Sequence, residues 1–538
     1  MRESWWWRST HSRRASSSRR QDSRSRRPTP SSQRWREALA RPSPRSTIWK
    51  QPSRSSIARS TSCAGNCGAR CTGRPLGRLA RSSARSASPP RSSWPRASVL
   101  QSESRHPYPH TQDRPMPRQR GFDCAAGRAY QQAGPATSGT NQGGAMSRIV
   151  EVRPFMVNFE QGTGGADAAR YGGRGNMMIV RIRTDDGLEG FGEGTLPHKT
   201  RAVAGAVEDF AEYLVGQDDT LIERHWQVLY RNSFQRGGVI LMTAQSAIDQ
   251  ALWDIAGKRF GVPVWRLMGG AVRDRILLYT HPGGASREEI VDRTHQRIEE
   301  GYRAFKTGIP GTAEWISDRK KVRETYENIA AVREAVGDDM KIMVDAHGKQ
   351  TPTVAIEIAN ALEELDLLFF EEPVPPRNVD AMLLVSAATN VPLATGERMY
   401  NRWDFRTTIE SQAVAVLQPD LGHAGGISET RRIAAAAETY FMGIAPHNPR
   451  GPGVTLASLH IAACTPNFII QESSIPIGGD ALWDEMLVEP LVVKDGYVDL
   501  PQAPGIGIRF DESIAERYPF QGRDTGHPVL ADGSVGDW

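Results

Sequence analysis

The pattern of apolar and polar positions changes character twice along the chain. Over residues 1–145 apolar residues recur with neither a helical nor a strand period, so no amphipathic element is readable there. From Ile149 the pattern becomes regular. Ile149–Asn158 reads as a strand, Met178–Thr184 as a second and Leu188–Gly194 as a third, with Asp185-Asp186-Gly187 as the hairpin turn between the last two. Gly162–Asn176 is glycine-rich and aperiodic, which predicts a mobile loop; long loops in compact domains are often lids. Helical patterns follow from about Thr200 and from Thr243. In the second, Ala247, Ile248, Ala251, Leu252, Ile255 and Ala256 share one face, and Gly261-Val262-Pro263 ends it.

The second change comes at about Arg275. Short apolar runs then alternate with helical stretches: Ile276–Tyr279, Ala304–Lys306, Lys341–Val344, Leu367–Phe370, Val391–Ala394, Val414–Leu417, Phe441–Ala445 and Phe468–Ile470. Eight such repeats predict an α/β fold with a parallel sheet, and eight strands suit closure into a (β/α)-barrel. After Ser473 the repeat stops, and the remaining chain is expected to pack back on the opening region. The predicted organisation is a disordered segment over 1–145, an α+β capping domain over 146–270, the barrel over 271–480, and a C-terminal segment over 481–538 that completes the cap.

Charge sharpens this division. The whole chain carries +6, but residues 1–145 hold 28 Lys+Arg against 6 Asp+Glu, leaving the remainder at a net −16. The part that reads as folded is acidic, which argues against nucleic acid as its partner. The first segment is rich in Arg, Ser and Pro and cannot bury enough surface to offset its ordering entropy. A nucleic-acid-binding arm and a plastid-type transit segment are two readings of it. The favoured reading is a mis-assigned start: only Lys50 among its 28 basic residues is a lysine, as expected when GC-rich DNA is read as protein. Gln142-Gly143-Gly144-Ala145 can also be spelled by a ribosome-binding sequence ahead of the Met146 codon. Tryptic peptides from upstream of Met146 in the endogenous protein would overturn that expectation.

Cys63, Cys67, Cys71 and Cys124 lie in the first segment and only Cys464 in the second, so no disulfide framework is expected and a reducing cytoplasm fits. The C-x3-C-x3-C run has no histidine context to make it a metal site. No stretch reaches the ~18 apolar residues of a membrane span, and the N-terminus lacks the apolar core of a secretory signal.

The candidate chemistry sits at the C-terminal ends of the strand candidates: Lys306, Asp345, Glu371, Glu397, Asp420, His447 and Glu472. From Asp345 the gaps are 26, 26, 23, 27 and 25 residues, one βα unit each time. These residues should ring one mouth of the barrel, where active sites of this architecture lie. A lone acid at a loop start is ordinarily a solvated surface group; a series in phase with the strand repeat is not. Asp345, Glu371 and Glu397 come from three consecutive strands and would repel one another without a cation. Hard oxygen donors without cysteine suit Mg²⁺. Glu372 follows Glu371, and adjacent strand residues face opposite sides, so only one of the two points inward. His347 lies two residues beyond Asp345, which on a strand would place both on one face. Asp420 beside His447 would give an oriented imidazole suited to general-base work. His198, His281, His423 and His460 are read as structural, though His281 and His423 fall near the mouth.

Taken together, Val344-Asp345-Ala346-His347, Phe370-Glu371-Glu372-Pro373, Gly396-Glu397-Arg398, Gln418-Pro419-Asp420 with Gly425-Gly426, and Ala445-Pro446-His447 resemble the mandelate racemase-like branch of the enolase superfamily. Arg236-Gly237-Gly238, Asp249–Ile255, Gln471-Glu472-Ser473 and Ala531–Val535 are similar to the galactonate dehydratases of that branch. The resemblance covers nearly all of 146–538 and none of 1–145. It implies a modified TIM barrel with Asp345, Glu371 and Glu397 as Mg²⁺ ligands. His447, oriented by Asp420, would take the C2 proton of a six-carbon sugar acid, D-galactonate before others. His347 would protonate the departing 3-hydroxyl, Glu472 would hydrogen-bond the substrate carboxylate or enediolate, and Lys306 would add positive charge. A homo-oligomer is implied too; no membrane partner is expected, because no stretch is long and apolar enough to span one. Two departures stand out. Gly308 occupies the place of a second lysine found in racemases of the branch, and residues 162–176 are longer than the corresponding lid. Within that lid Arg170, Tyr171 and Arg174 are candidate substrate contacts. The competing readings are a gluconate or mannonate dehydratase, a cycloisomerase or epimerase on the same site, and a non-catalytic regulator built on the barrel.

Overall fold

The computed structural model describes residues 147–158, 175–311, 315–316, 319–473, 475, 481–522, 529–530 and 532–536. Residues 1–145 and the lid candidates Arg170, Tyr171 and Arg174 lie outside the described residues.

The opening region is an antiparallel meander of β1 (Ile149–Asn158), β2 (Asn176–Thr184) and β3 (Glu189–Glu193), covered by α1 (Thr200–Leu214), α2 (Ile222–Asn232) and α3 (Val239–Phe260). Gly187 takes the left-handed conformation (φ +88°) that the tight β2–β3 turn requires. Helix α3 starts four residues before the predicted Thr243 and ends at Gly261, whose φ of +66° lets its N–H reach the carbonyls of Gly257 and Lys258. It is buried almost all round, polar residues included, because it is sandwiched between the meander and the barrel. Gln250 donates to the Glu193 carbonyl (2.9 Å), while Asp254 accepts from Phe191 N–H (3.0 Å) and Ile506 N–H (2.8 Å). Its approach to β3 depends on two glycines. A Cβ at Gly190 would strike the Ala251 carbonyl, and one at Gly192 the Ala247 carbonyl.

After a short α4 (Val264–Leu267), strands and helices alternate. The strands are β4 (Arg275–Tyr279), β5 (Ala304–Gly308), β6 (Lys341–Asp345), β7 (Phe369–Glu371), β8 (Leu393–Thr395), β9 (Val416–Leu417), β10 (Gly443–Ile444) and β11 (Gln471–Glu472). Between them run α5 (Arg287–Glu299), α6 (Arg319–Val336), α7 (Pro352–Leu362), α8 (Val379–Ser386), α9 (Arg402–Ser411), α10 (Gly426–Glu438) and α11 (Pro452–Cys464). Strands β5 to β10 form one parallel sheet in sequence order. The ring closes through a Thr280–Phe305 bridge, an Ile444–Phe468 bridge and parallel pairing of β11 with β4. The protein is therefore a (β/α)-barrel with a separate capping domain. The predicted eighth strand, Phe468–Ile470, lies too early. Phe468 makes only the single bridge to Ile444, and the ladder to β4 begins at Gln471, where the chain bends inward to complete the ring.

Tyr279, Ala304, Met343, Phe369, Ala394, Val416, Ala445 and Ile470, one from each strand position around the ring, fill the barrel interior as a single buried cluster. They form a packed floor rather than a pore. Alternate strand residues such as Ile342, Val344, Phe370 and Leu417 face outward onto the helices. The C-terminal segment comprises α12 (Ala481–Met486), β12 (Tyr497–Asp499) and α13 (Glu512–Arg517). Trp483, Ile506, Ile508 and Phe510 pack with Phe155, Met177 and Phe191 of the meander. Strand β12 adds antiparallel to β4, a pairing too short to leave an alternation in the sequence. No helix among the described residues is long and apolar enough to cross a membrane.

Gly192→Ala is expected to destabilise the fold by ~1–3 kcal/mol, since the added methyl forces α3 off β3. A urea midpoint unchanged from the parent protein would show that this contact is not tight.

Candidate active site

Strand alternation carries the floor into a polar rim. Two residues beyond Tyr279, Ala304, Met343, Phe369, Ala445 and Ile470 stand His281, Lys306, Asp345, Glu371, His447 and Glu472. At β8 and β9 the corresponding positions are Gly396 and Gln418, and Glu397 and Asp420 follow after turns. Gly396 has φ +147°, and a Cβ on it would lie 2.8 Å from the Gln418 nitrogen, so only glycine lets the chain bring Glu397 to the mouth.

The structure brings all eight described candidates together. Ligand oxygens of Asp345, Glu371 and Glu397 lie within 4.8 Å of one another. Lys306 Nζ stands 2.8 Å from Glu371, 3.1 Å from Glu472 and 3.3 Å from Asp345. His447 Nδ1 is 2.8 Å from Asp420 Oδ2, and its Nε2 is 3.1 Å from Glu397. Glu372 turns away, accepting from Thr395 Oγ1 (2.5 Å) and Arg398 Nε (2.8 Å), so Glu371 is the inward member of that pair. His347 reaches the site by a different route from the one expected. Strand β6 ends at Asp345, and His347 lies in a turn with φ +52°, its N–H donating to Asp345 Oδ1 (2.7 Å) and its Nε2 3.3 Å from Oδ2. Shared strand face is therefore not what joins the two residues; the turn is.

Charge in this site is unevenly held. Burial drives the Glu371 carboxyl well above its ordinary range, and neighbouring Asp345 adds to that. Burial, then Glu372 and Asp345, push Glu397 up to about 7 against the opposing pull of His447. Asp345 would also rise on burial, but His347 and Lys306 bring it down to about 2. Glu472 is held well below the carboxylate range because Lys306, His447 and His281 outweigh its burial. Ionised Glu472 accepts hydrogen bonds from His281 (2.6 Å) and from the Asn448 N–H (2.6 Å), and has no proton to donate. His347 is drawn upward by Asp345, yet burial and the nearby Lys349, Lys306 and His281 bring it to about 4. Burial lowers His447, but Glu397, Glu472 and Asp420 more than reverse this and raise it to about 9.

The three acids fit a hard divalent cation. All offer oxygen, and Glu371 Oε1 is buried with no hydrogen-bond partner, an arrangement costly unless something positive meets it. A divalent ion would take the place of the protons that now keep Glu371 and Glu397 from ionising together.

Sequence comparison agrees with this architecture. Residues 169–269 match the model of the mandelate racemase / muconate lactonizing enzyme N-terminal domain, and residues 289–514 match the enolase C-terminal domain-like model. The chain belongs to the enolase superfamily. It is 39% identical over 367 residues to the D-galactonate dehydratase of Cronobacter sakazakii, covering 67% of this chain and 96% of that one. A superfamily member from Salmonella Typhimurium superposes with a TM-score of 0.62 at 30% identity, over 69% of this chain and 98% of the other. An enolase from Pantoea ananatis with bound D-gluconate and Mg has a TM-score of 0.62 at 28% identity, over 70% and 96%.

Two participants were not assigned to the site from sequence. His281 follows the same two-residue step from the floor as its neighbours, a signal legible once Tyr279 is known to point inward. Arg450, with Nε 3.5 Å from Asp420, carries no such signal because it lies in a loop.

The raised His447 pKa makes its charge a stabilising feature of the ion-free protein. That contribution is fully present below the ordinary value of 6.5 and lost as pH rises through about 9. In chelator-treated protein, His447→Asn should therefore lower the melting temperature most in the acidic range, with the gap closing toward about pH 9. A gap that widens with pH would contradict the assigned environment.

Proposed function

We propose that the protein is a Mg²⁺-dependent dehydratase of six-carbon sugar acids, D-galactonate before others, which forms a 2-keto-3-deoxy acid and water. The observation that carries this reading is the cluster of Asp345, Glu371 and Glu397 oxygens within 4.8 Å, beside an Asp420–His447 pair at 2.8 Å. The galactonate dehydratase relative supports the substrate, and the neighbour with D-gluconate and Mg makes gluconate the second acid to test.

Asp345, Glu371 and Glu397 would hold the ion. When bound, it would supply Lewis-acid stabilisation, worth several kcal/mol, of the charge that builds on the substrate carboxylate. The remaining work falls to side chains. Asp420 accepts a hydrogen bond from His447 Nδ1–H; with Glu397 engaged on the ion, the chief cause that holds the ring charged in the ion-free protein would be removed, which leaves Nε2 to take the C2 proton. The negative charge of a bound substrate would hold a proton on His347, a third of whose side chain is exposed, and that proton passes to the 3-hydroxyl, which departs as water. The resulting enol takes a proton at C3 and becomes the 2-keto-3-deoxy acid. Lys306 offsets the charge of the surrounding carboxylates, and ionised Glu472 accepts from a substrate hydroxyl. Arg170, Tyr171 and Arg174 are the proposed lid contacts. Elimination is favoured over epimerisation because the Gly308 position carries no base. A Cβ there would meet only the Asp345 carbonyl at 3.8 Å, so the fold itself does not demand glycine.

With Mg²⁺, the protein should turn over galactonate in a panel of hexonates read for 2-keto-3-deoxy product, and EDTA should abolish the activity reversibly. Absence of turnover across the panel would remove the dehydratase reading. His447→Asn and Glu397→Gln should keep the parent circular dichroism and each lose at least ~10²-fold in kcat. Variants as active as the parent would show that the assigned roles are wrong.

A further inference from the structure

Behind the Asp420–His447 pair runs a chain of hydrogen bonds that begins in the capping domain and ends at Arg450, which forms an ion pair with Asp420. Arg450 NH2 lies 3.0 Å from His423 Nε2, and His423 Nδ1 lies 2.8 Å from Thr243 Oγ1. Thr243 Oγ1 in turn donates to the Val239 carbonyl (2.6 Å) in the first turn of α3. A guanidinium only donates, so His423 must accept at Nε2 and carry its proton on Nδ1. Burial lowers the His423 pKa to about 4 against the pull of Asp420, which agrees with a neutral ring. The direction of each of these three bonds is then set, from Arg450 to His423, from His423 to Thr243 and from Thr243 to the Val239 carbonyl.

This chain fastens Arg450 beside Asp420, Nε to Oδ2 at 3.5 Å, where the carboxylate is fully buried. The backbone of the same loop is tied independently. Glu193, at the end of β3, accepts from Gly451 N–H (2.9 Å) and Val454 N–H (3.1 Å), and Thr195 Oγ1 donates to it (2.6 Å). A Cβ on Gly451 would stand 2.8 Å from Glu193 Oε2, so the approach needs glycine. Side chain and backbone of the loop after His447 are thus both anchored by the capping domain.

We propose that Arg450, held by His423 and Thr243, is a positioning residue for proton abstraction. It keeps the Asp420 carboxylate against His447 and so makes the base dependent on a docked capping domain. The proposal rests on His447 as the base. Three outward facts of the geometry favour it over a purely structural role for Arg450. Its guanidinium meets the one carboxylate that orients the imidazole, its partner His423 lies 3.8 Å from that carboxylate as well, and both are tied to a different domain.

The test compares Arg450→Met, Arg450→Lys and the isosteric Thr243→Val in the Mg²⁺-loaded protein. Two readouts are followed. One is kcat and KM on the hexonate turned over by the parent. The other is the downfield NMR proton of the Asp420–His447 pair, identified by its loss in His447→Asn. Arg450→Met should lower kcat by about 10- to 100-fold with little change in KM, and shift or broaden the downfield proton. Thr243→Val should move both readouts in the same direction by less, and Arg450→Lys should recover part of the loss. Arg450→Met with an unaltered downfield proton and kcat within about twofold of the parent would overturn the proposal, as would a loss confined to KM. If Arg450→Met does not fold, Thr243→Val and Arg450→Lys decide by the same criteria. If the parent turns over no hexonate, the dehydratase reading falls, and the downfield proton alone decides the role of Arg450.

Discussion

Mutual repulsion among Asp345, Glu371 and Glu397 is the constraint around which the molecule is arranged. Their carboxylate oxygens lie within 4.8 Å of one another, with Asp345 and Glu371 buried and Glu397 partly so. At an effective dielectric of about 20, each fully ionised pair at that separation opposes folding by on the order of 3 kcal/mol. The protein meets this in two ways. Lys306 is buried among the acids and touches two of the three directly. The rest of the charge is left for protons or a divalent ion to balance, which is why Glu371 and Glu397 titrate so far from their usual range. A site that is unfavourable when empty is a site with affinity.

Holding like charges together demands a rigid frame, and two features provide it. The floor of Tyr279, Ala304, Met343, Phe369, Ala394, Val416, Ala445 and Ile470 sets the height of the rim, since at six of these eight positions the rim residue stands two beyond its floor residue, while Glu397 and Asp420 follow after turns. Helix α3 provides the second. Its buried Thr243, Gln250 and Asp254 bond respectively to the network behind Asp420, to β3 and to the C-terminal segment. Asp249 accepts from Ser428 N–H in the first turn of α10 (3.0 Å), which extends the same helix's reach to the barrel. Buried polar groups that must all be satisfied leave few ways for the two domains to dock.

Much of this was legible in the sequence, and the exceptions have physical reasons. The barrel and its rim residues could be read because one residue spacing served two purposes, βα repetition and the placement of charge. Glu371 could not be told from Glu372 by spacing, since the choice depends on Thr395 and Arg398, which arrive from the next strand. The turn at His347 escaped notice because a positive φ in a non-glycine residue leaves no mark in composition. Strands β9, β10 and β11 are two residues long, too short for periodicity to fix their ends, and the eighth was placed early for that reason. Arg450 and His423 act through contacts 27 residues apart that no local pattern encodes.

Gly308 has a consequence for how such a scaffold changes its chemistry over time. The position sits at the end of β5, two residues past Lys306, with open space where a side chain would go. Neither backbone conformation nor packing bars a Cβ at this position. Under the proposed chemistry, a basic residue at this one position is what a two-base reaction would add to the groups already in place. On that reading, loss of water and inversion at carbon would differ on this barrel by the occupancy of a single unfilled place rather than by its foundations.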